Sequence, residues 1–236
     1  MFGVNKDDAF VPICFALPPT FNLTQQIYEG QLLANLASDL GIVAPFATRV
    51  LQRFPYSACA VPGDQKRTRD QCCRQYEQVF MDYTWTCSQR LTFALLANAT
   101  SDASGAKQPL FSYFFDQLPT CPTPSRIVDH TVEIAYVFGV QSSYVASGLE
   151  DPCSWSAGER AFSDAVTDHW VAFATSLDAS TPALRVPAFV PGPAEKTLYL
   201  KQDSIAITAR AAADLERCES FWNPLIRDLW TDERKH

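Results

Sequence analysis

The feature that most constrains this fold is the run Leu110-Phe111-Ser112-Tyr113-Phe114-Phe115, a short, nearly continuous apolar and aromatic segment. A strand with one face in water alternates polar and apolar residues; one without alternation has both faces covered, as in a parallel sheet flanked by helices. The chain supplies the covering helices. Thr24 caps a stretch from Leu23 to about Ser38, in which Ile27, Leu32 and Leu36 form an apolar face. A second helix is expected over Pro45–Phe54, and a long one from about Arg69 to Leu96, with Tyr76, Val79, Phe80, Tyr83 and Cys87 on one side. Ser156-Ala157-Gly158-Glu159 is a capping box that opens a helix bearing Phe162, Val166, Trp170 and Phe173 on one stripe. Thr197–Leu200 is another short strand. A last helix carries Leu215, Cys218, Trp222 and Leu225 or Ile226, and Pro224 is expected to kink or restart it with Asn223 as the new cap. The opening segment to about Pro19, the stretch Tyr56–Asp70 and the stretch Asn98–Gln108 read as loops. No repeat and no Gly- or Ser-rich linker divides the chain, so residues 1–236 are expected to belong to one α/β domain. The sheet is small for so much apolar helix surface, which suggests further strands upstream.

Composition narrows the setting. A net charge of −7 gives no electrostatic reason to seek nucleic acid or an anionic membrane. The basic cluster Lys66-Arg67-Thr68-Arg69 runs straight into Asp70 and reads as a solvated loop. No run is long and apolar enough to span a bilayer. The 8 cysteines lack any C-x-x-C spacing, and the 3 histidines (His130, His169 and His236) form no H-x-x-x-H pair, so no metal site is expected. Two sequons, Asn22-Leu23-Thr24 and Asn98-Ala99-Thr100, join the cysteines in pointing to an oxidising, secretory compartment. Met1–Asp8 nonetheless contains no apolar signal core, and the charged tail Asp232–His236 excludes a hydrophobic lipid-anchor signal. One explanation of that mismatch is an N-terminal part that precedes this chain.

His130 lies in Val128-Asp129-His130-Thr131-Val132-Glu133-Ile134-Ala135-Tyr136-Val137-Phe138-Gly139. An imidazole titrates near neutrality and can relay a serine proton, but for a lone histidine an ordinary structural role is the default. The surrounding pattern alters that weighing. His130-x-x-Glu133-Ile134-x-Tyr136-Val137-Phe138-Gly139 resembles the catalytic-histidine segment of the type-B carboxylesterase/cholinesterase family of α/β-hydrolases. Gly3-Val4-Asn5-Lys6-Asp7-Asp8 resembles the segment that ends in the family's triad acid, and Phe111–Phe115 resembles the strand before its histidine loop. Trp170-Val171-Ala172-Phe173-Ala174 is similar to a family helix end, and Cys218-Glu219-Ser220-Phe221-Trp222 to the C-terminal Cys-x-x-Phe-Trp. These five matches keep the family's order and cover essentially the whole chain.

The resemblance implies the C-terminal part of an α/β-hydrolase fold, helix-rich, with a few strands of an incomplete central sheet. It implies Asp8 as the acid that orients the imidazole and His130 as the base. The family mostly has Glu where Asp8 stands and a glycine where Ala9 stands, which leaves Asp7 as an alternative acid. Glu133 resembles a carboxylate that orients the site, and is read equally well as a structural one. Phe10 falls where relatives line the substrate gorge, whereas Phe15 suits the core. Val132 replaces the aromatic residue of cholinesterases, which argues for a broader carboxylic-ester substrate than choline esters.

Cys87 and Cys218 resemble a family disulfide, whose loop of about 130 residues is worth roughly 4–5 kcal/mol on the chain-entropy model. Cys121 and Cys153 flank the histidine segment as a further candidate pair, Cys59 has Cys72 or Cys73 to choose from, and Cys14 has no evident partner. No Gly-x-Ser-x-Gly nucleophile elbow occurs, and no Gly-Gly-Gly oxyanion loop. The nearest approach, Ser154-Trp155-Ser156-Ala157-Gly158, is accounted for by its capping role. The resemblance therefore implies a cofactor-free serine carboxylic-ester hydrolase to which this chain brings the acid and the histidine but not the serine. Its partners would be a small ester and the N-terminal part of the same protein. The alternatives are a neuroligin-like adhesion relative without catalysis, or an inactive fragment.

Overall fold

The computed structural model describes residues 1–8, 21–42, 44–61, 63–99, 109–120, 127–128, 130–140 and 154–233. In chain order its elements are β1 (Phe2–Asn5), α1 (Gln25–Ser38), α2 (Phe46–Arg53), α3 (Tyr56–Cys59), α4 (Gln65–Phe80), a π-helical turn (Met81–Thr86) and α5 (Cys87–Ala99). They continue with β2 (Ser112–Phe115), α6 (Val132–Phe138), α7 (Ala157–Ser176), β3 (Lys196–Leu200), β4 (Ala206–Ala209), α8 (Ala212–Arg217), a second π-helical turn (Cys218–Trp222) and α9 (Asn223–Glu233). The chain divides into two compact units, Met1–Asp8 with Gln89–Glu216, and Ala9–Ser88 with Arg217–His236. The α/β class read from the sequence holds: the structure is helix-rich, with one small mixed sheet among the described residues.

The first unit contains the sheet, in the order β1-β2-β3-β4. β1, β2 and β3 run parallel, with Gly3 opposite Tyr113 and Phe115 opposite Leu200, and β4 returns antiparallel to β3. Gly3 has a steric reason to be glycine, because a Cβ there would lie 2.2 Å from the Tyr113 ring. The core is built on the non-alternating strands: Phe115, Leu198 and Leu200 are fully buried, as are Tyr136 and Val166 from α6 and α7. Tyr136 stacks on Trp155 at 4.7 Å and meets Phe115 and Phe162, each at 5.4 Å. Ser163 and Thr167 of α7 donate to the carbonyls of Tyr136 and Val137 at the end of α6, where the helix itself supplies no donors. Seven residues are too few for an autonomous helix, and these tertiary bonds hold α6 in place. Glu195, itself buried, accepts from the buried guanidinium groups of Arg90 and Arg210, each at 2.7 Å.

In the second unit Cys59 is bonded to Cys72 and Cys87 to Cys218. Cys73 is disulfide-bonded as well. Buried Asp82, on the first π-helical turn, accepts from Arg217 at 2.9 Å, Trp222 Nε1 at 3.2 Å and Gln78 at 2.7 Å. Trp222 stacks on Phe54, and the expected faces of α1 and of the final helix are buried through Leu32, Leu36, Leu225 and Ile226.

Three local expectations are corrected. The opening segment is not all loop, since Phe2–Asn5 is a strand. Tyr56–Asp70 is not a loop either: α3 occupies Tyr56–Cys59, and α4 begins at Gln65 after Gly63, whose φ is +80°. Beyond Gly63 no helix breaker follows, and a run of charged residues extends a helix as readily as it forms a loop. Finally, the last helix restarts at Pro224 as expected, with α9 beginning directly after the second π-helical turn, but Asn223 is already helical at φ −61°, ψ −44° rather than a cap. The second π-helical turn widens the ladder so that the Asn223 N–H reaches Cys218 O, and Pro224 then falls in the first turn of α9, where a missing N–H is tolerated.

Candidate active site

The site lies at the C-terminal ends of β1 and β2, where open parallel sheets gather their functional groups. Lys6 N–H still bonds to Phe115 O at 2.9 Å, and Lys6 Nζ reaches Asp116 at the same distance, so the chain leaves β1 in a defined direction. The following two acidic residues then diverge. Asp7 docks the segment before the histidine: its N–H donates to Val128 O at 2.9 Å, and its carboxylate accepts from Val128 N–H at 3.0 Å. Asp8 turns inward, and its Oδ1 lies 3.1 Å from His130 Nδ1. Of the two candidate acids, the one that meets the imidazole is Asp8.

Burial is asymmetric across this pair. The Asp8 side chain is 6% exposed and that of His130 is 54% exposed. Loss of hydration raises the Asp8 carboxyl to about 6, although the Asn5 N–H and His130 both favour its ionised form, and the Glu133 carboxylate pushes the same way as burial. Asp8 Oδ2 accepts the Asn5 N–H. After His130 comes Thr131, whose φ of 73° is unusual for a β-branched residue and redirects the chain into α6.

Glu133, in the first turn of α6, accepts from the Asn5 carboxamide and lies near the Tyr113 hydroxyl. Burial, followed by the nearby Glu133 and Asp8 carboxylates, raises the Tyr113 hydroxyl, which therefore stays protonated as a donor. Val132, two residues after His130, is buried in the core rather than presented to solvent. Asn5 and Tyr113 were not singled out from the sequence. Asn5 stands inside the segment that carries the resemblance, but only the fold brings it to Glu133.

The other candidates distribute as follows. Asn22 and Asn98 are both exposed. Phe10, Phe15, Cys14, Cys121 and Cys153 lie outside the described residues. Among the described residues no group of three His, Cys, Asp or Glu is arranged to hold a metal ion, and no helix is long and apolar enough to cross a membrane. A buried carboxylate facing Nδ1 of an exposed imidazole can hold one tautomer and stabilise the imidazolium, which equips the other ring nitrogen for proton transfer.

A family model described as "Carboxylesterase family" matches residues 1–219. No curated protein matches the chain.

Proposed function

The chain belongs to the carboxylesterase family, and from that premise we propose that it supplies the acid and the base of a serine carboxylic-ester hydrolase. Asp8 is the acid and His130 the base, and the nucleophilic serine and oxyanion donors belong to a part of the protein upstream of Met1. The observation that carries this reading is the 3.1 Å contact between buried Asp8 and His130 Nδ1 at the strand ends.

In this mechanism His130 donates its Nδ1–H to Asp8, so that Nε2 is the acceptor. Nε2 takes the proton as the serine oxygen attacks the ester carbonyl, and returns it to the departing alcohol oxygen when the acyl-enzyme forms. Water then attacks the acyl-enzyme by the same route, and the carboxylic acid and free serine are regenerated. Asp8 remains a carboxylate throughout and stabilises the imidazolium that exists between the two transfers. Glu133 orients the segment after the histidine. Phe10 contributes to the ester pocket, and Val132, buried in place of an aromatic residue, suits a substrate broader than choline esters.

The setting proposed is secretory. Two disulfides, Cys59–Cys72 and Cys87–Cys218, and exposed sequon asparagines at Asn22 and Asn98 support it. Cys121 and Cys153 are proposed as a further pair. The test begins with the coding sequence upstream of Met1: a Gly-x-Ser-x-Gly elbow there supports the esterase, and a replaced serine favours the adhesion relative. The 236-residue chain by itself is expected to leave p-nitrophenyl butyrate unhydrolysed. Turnover by this chain that His130→Ala abolishes would overturn the assignment of the serine to another segment.

A further inference from the structure

We propose that Asn5 is the positioning residue of the Asp8–His130 pair, a strut whose two ends hold the two carboxylates on either side of the histidine segment. This rests on the reading of Asp8 and His130 given above. Asn5 is the last residue of β1, lies opposite Phe115 in the parallel register and is 1% exposed. Its main chain fixes one partner, because the Asn5 N–H donates to Asp8 Oδ2 and leaves Oδ1 for the imidazole. Its side chain fixes the other, because the carboxamide Nδ2 donates to Glu133 Oε2 across 128 positions of sequence.

Glu133 stands three residues after His130, in the first turn of a helix only 7 residues long. Between them Thr131 holds a left-handed backbone that such a residue adopts only when its surroundings impose it. The carboxamide bond is therefore a direct tie between the strand that delivers Asp8 and the helix turn that delivers His130. If it is cut, the histidine segment can drift relative to its acid. Residue chemistry supports the choice of asparagine. Aspartate here would place a third carboxylate beside Asp8 and Glu133, and leucine would supply no donor. Glutamine is longer by a methylene in a buried position. The Tyr113 hydroxyl also lies near Glu133, but on β2, so it does not link Glu133 to β1.

The test reads the Asp8–His130 bond directly in the full chain and requires no esterase activity. In protein labelled with 15N-histidine, the low-field Nδ1–H proton of His130 is identified by its loss in His130→Gln. It is expected in the wild type and in Glu133→Gln, whose amide oxygen still accepts from Asn5. It is expected to be lost in Asn5→Leu and in Glu133→Leu, in spectra recorded well below their melting transitions. A merely structural role for Asn5 would lower the transition and leave this proton in place. If Asn5→Leu does not fold, Glu133→Leu interrogates the same bond from its half-buried end. Survival of the proton in either folded leucine variant would overturn the strut alone. Its absence from the wild type would remove the pair itself, and the strut with it.

Discussion

Replacing Asp8 by asparagine should stabilise this protein near neutral pH while disabling the site. Asp8 is raised from 3.8 to about 6 in the folded chain, chiefly by burial. A raised carboxyl means that the folded state holds the proton more tightly than the unfolded state, so the wild type is favoured at low pH and loses stability as pH rises between about 4 and about 6. A shift of roughly two units at 1.36 kcal/mol each sets the cost of ionising Asp8 at about 2–3 kcal/mol once the pH exceeds about 7. Asparagine preserves the shape, and its carbonyl oxygen can still accept the Asn5 N–H that now bonds to Oδ2, but it has no proton to lose. Urea unfolding of wild type and Asp8→Asn across the pH range is the assay. The two should be nearly equal at about pH 4, and the variant should be more stable by about 2–3 kcal/mol at about pH 7.5. If Asp8→Asn is the less stable protein at the higher pH, the carboxylate is a net stabiliser and the reasoning from burial is wrong.

Further outcomes follow from the packing. The Cys87–Cys218 bridge spans 131 positions, and replacing both cysteines by alanine should cost about 4–5 kcal/mol, read as a lower urea midpoint than that of the oxidised wild type. Glu195 neutralises buried Arg90 and Arg210, so Glu195→Gln should destabilise by about 3–5 kcal/mol in thermal or urea unfolding. Gly3→Ala should cost about 1–3 kcal/mol, because its Cβ would fall 2.2 Å from the Tyr113 ring. That cost should largely vanish in a Tyr113→Ala background, which lacks the ring atoms the Cβ would meet, and a Gly3→Ala variant as stable as wild type would contradict the close approach.

Local signals were legible wherever local chemistry decides the structure. The Ser156–Glu159 capping box forms as read, the Thr24 hydroxyl accepts from Ile27 N–H, and the aromatic run becomes a strand of buried and half-buried residues. What escaped the sequence depends on partners far along the chain. Phe2–Asn5 contains Gly and Asn and has poor strand propensity, yet it is a strand because Ser112–Phe115 pairs with it, and Gly3 is required there because Tyr113 covers it. The π-helical turns carry no recognised local pattern, so the helical conformation of Asn223 just before Pro224 could not be anticipated. At the site, the resemblance brought out Asp8 and His130. The fold distinguishes them from their neighbours: Asp7 is engaged with Val128, and Asn5 bonds to Glu133. Both pairings depend on where the histidine segment lies in space, which residue spacing does not encode.

The central claim is that Asp8 and His130 are the acid and base of an ester hydrolase completed by an upstream serine. Its most direct test is the kcat/KM for p-nitrophenyl butyrate of a protein in which this chain is joined to the proposed serine-bearing segment, compared with its His130→Ala variant. A loss on the order of 10⁴-fold, with the fold retained by circular dichroism, is the result predicted here. Unchanged turnover in His130→Ala would contradict it.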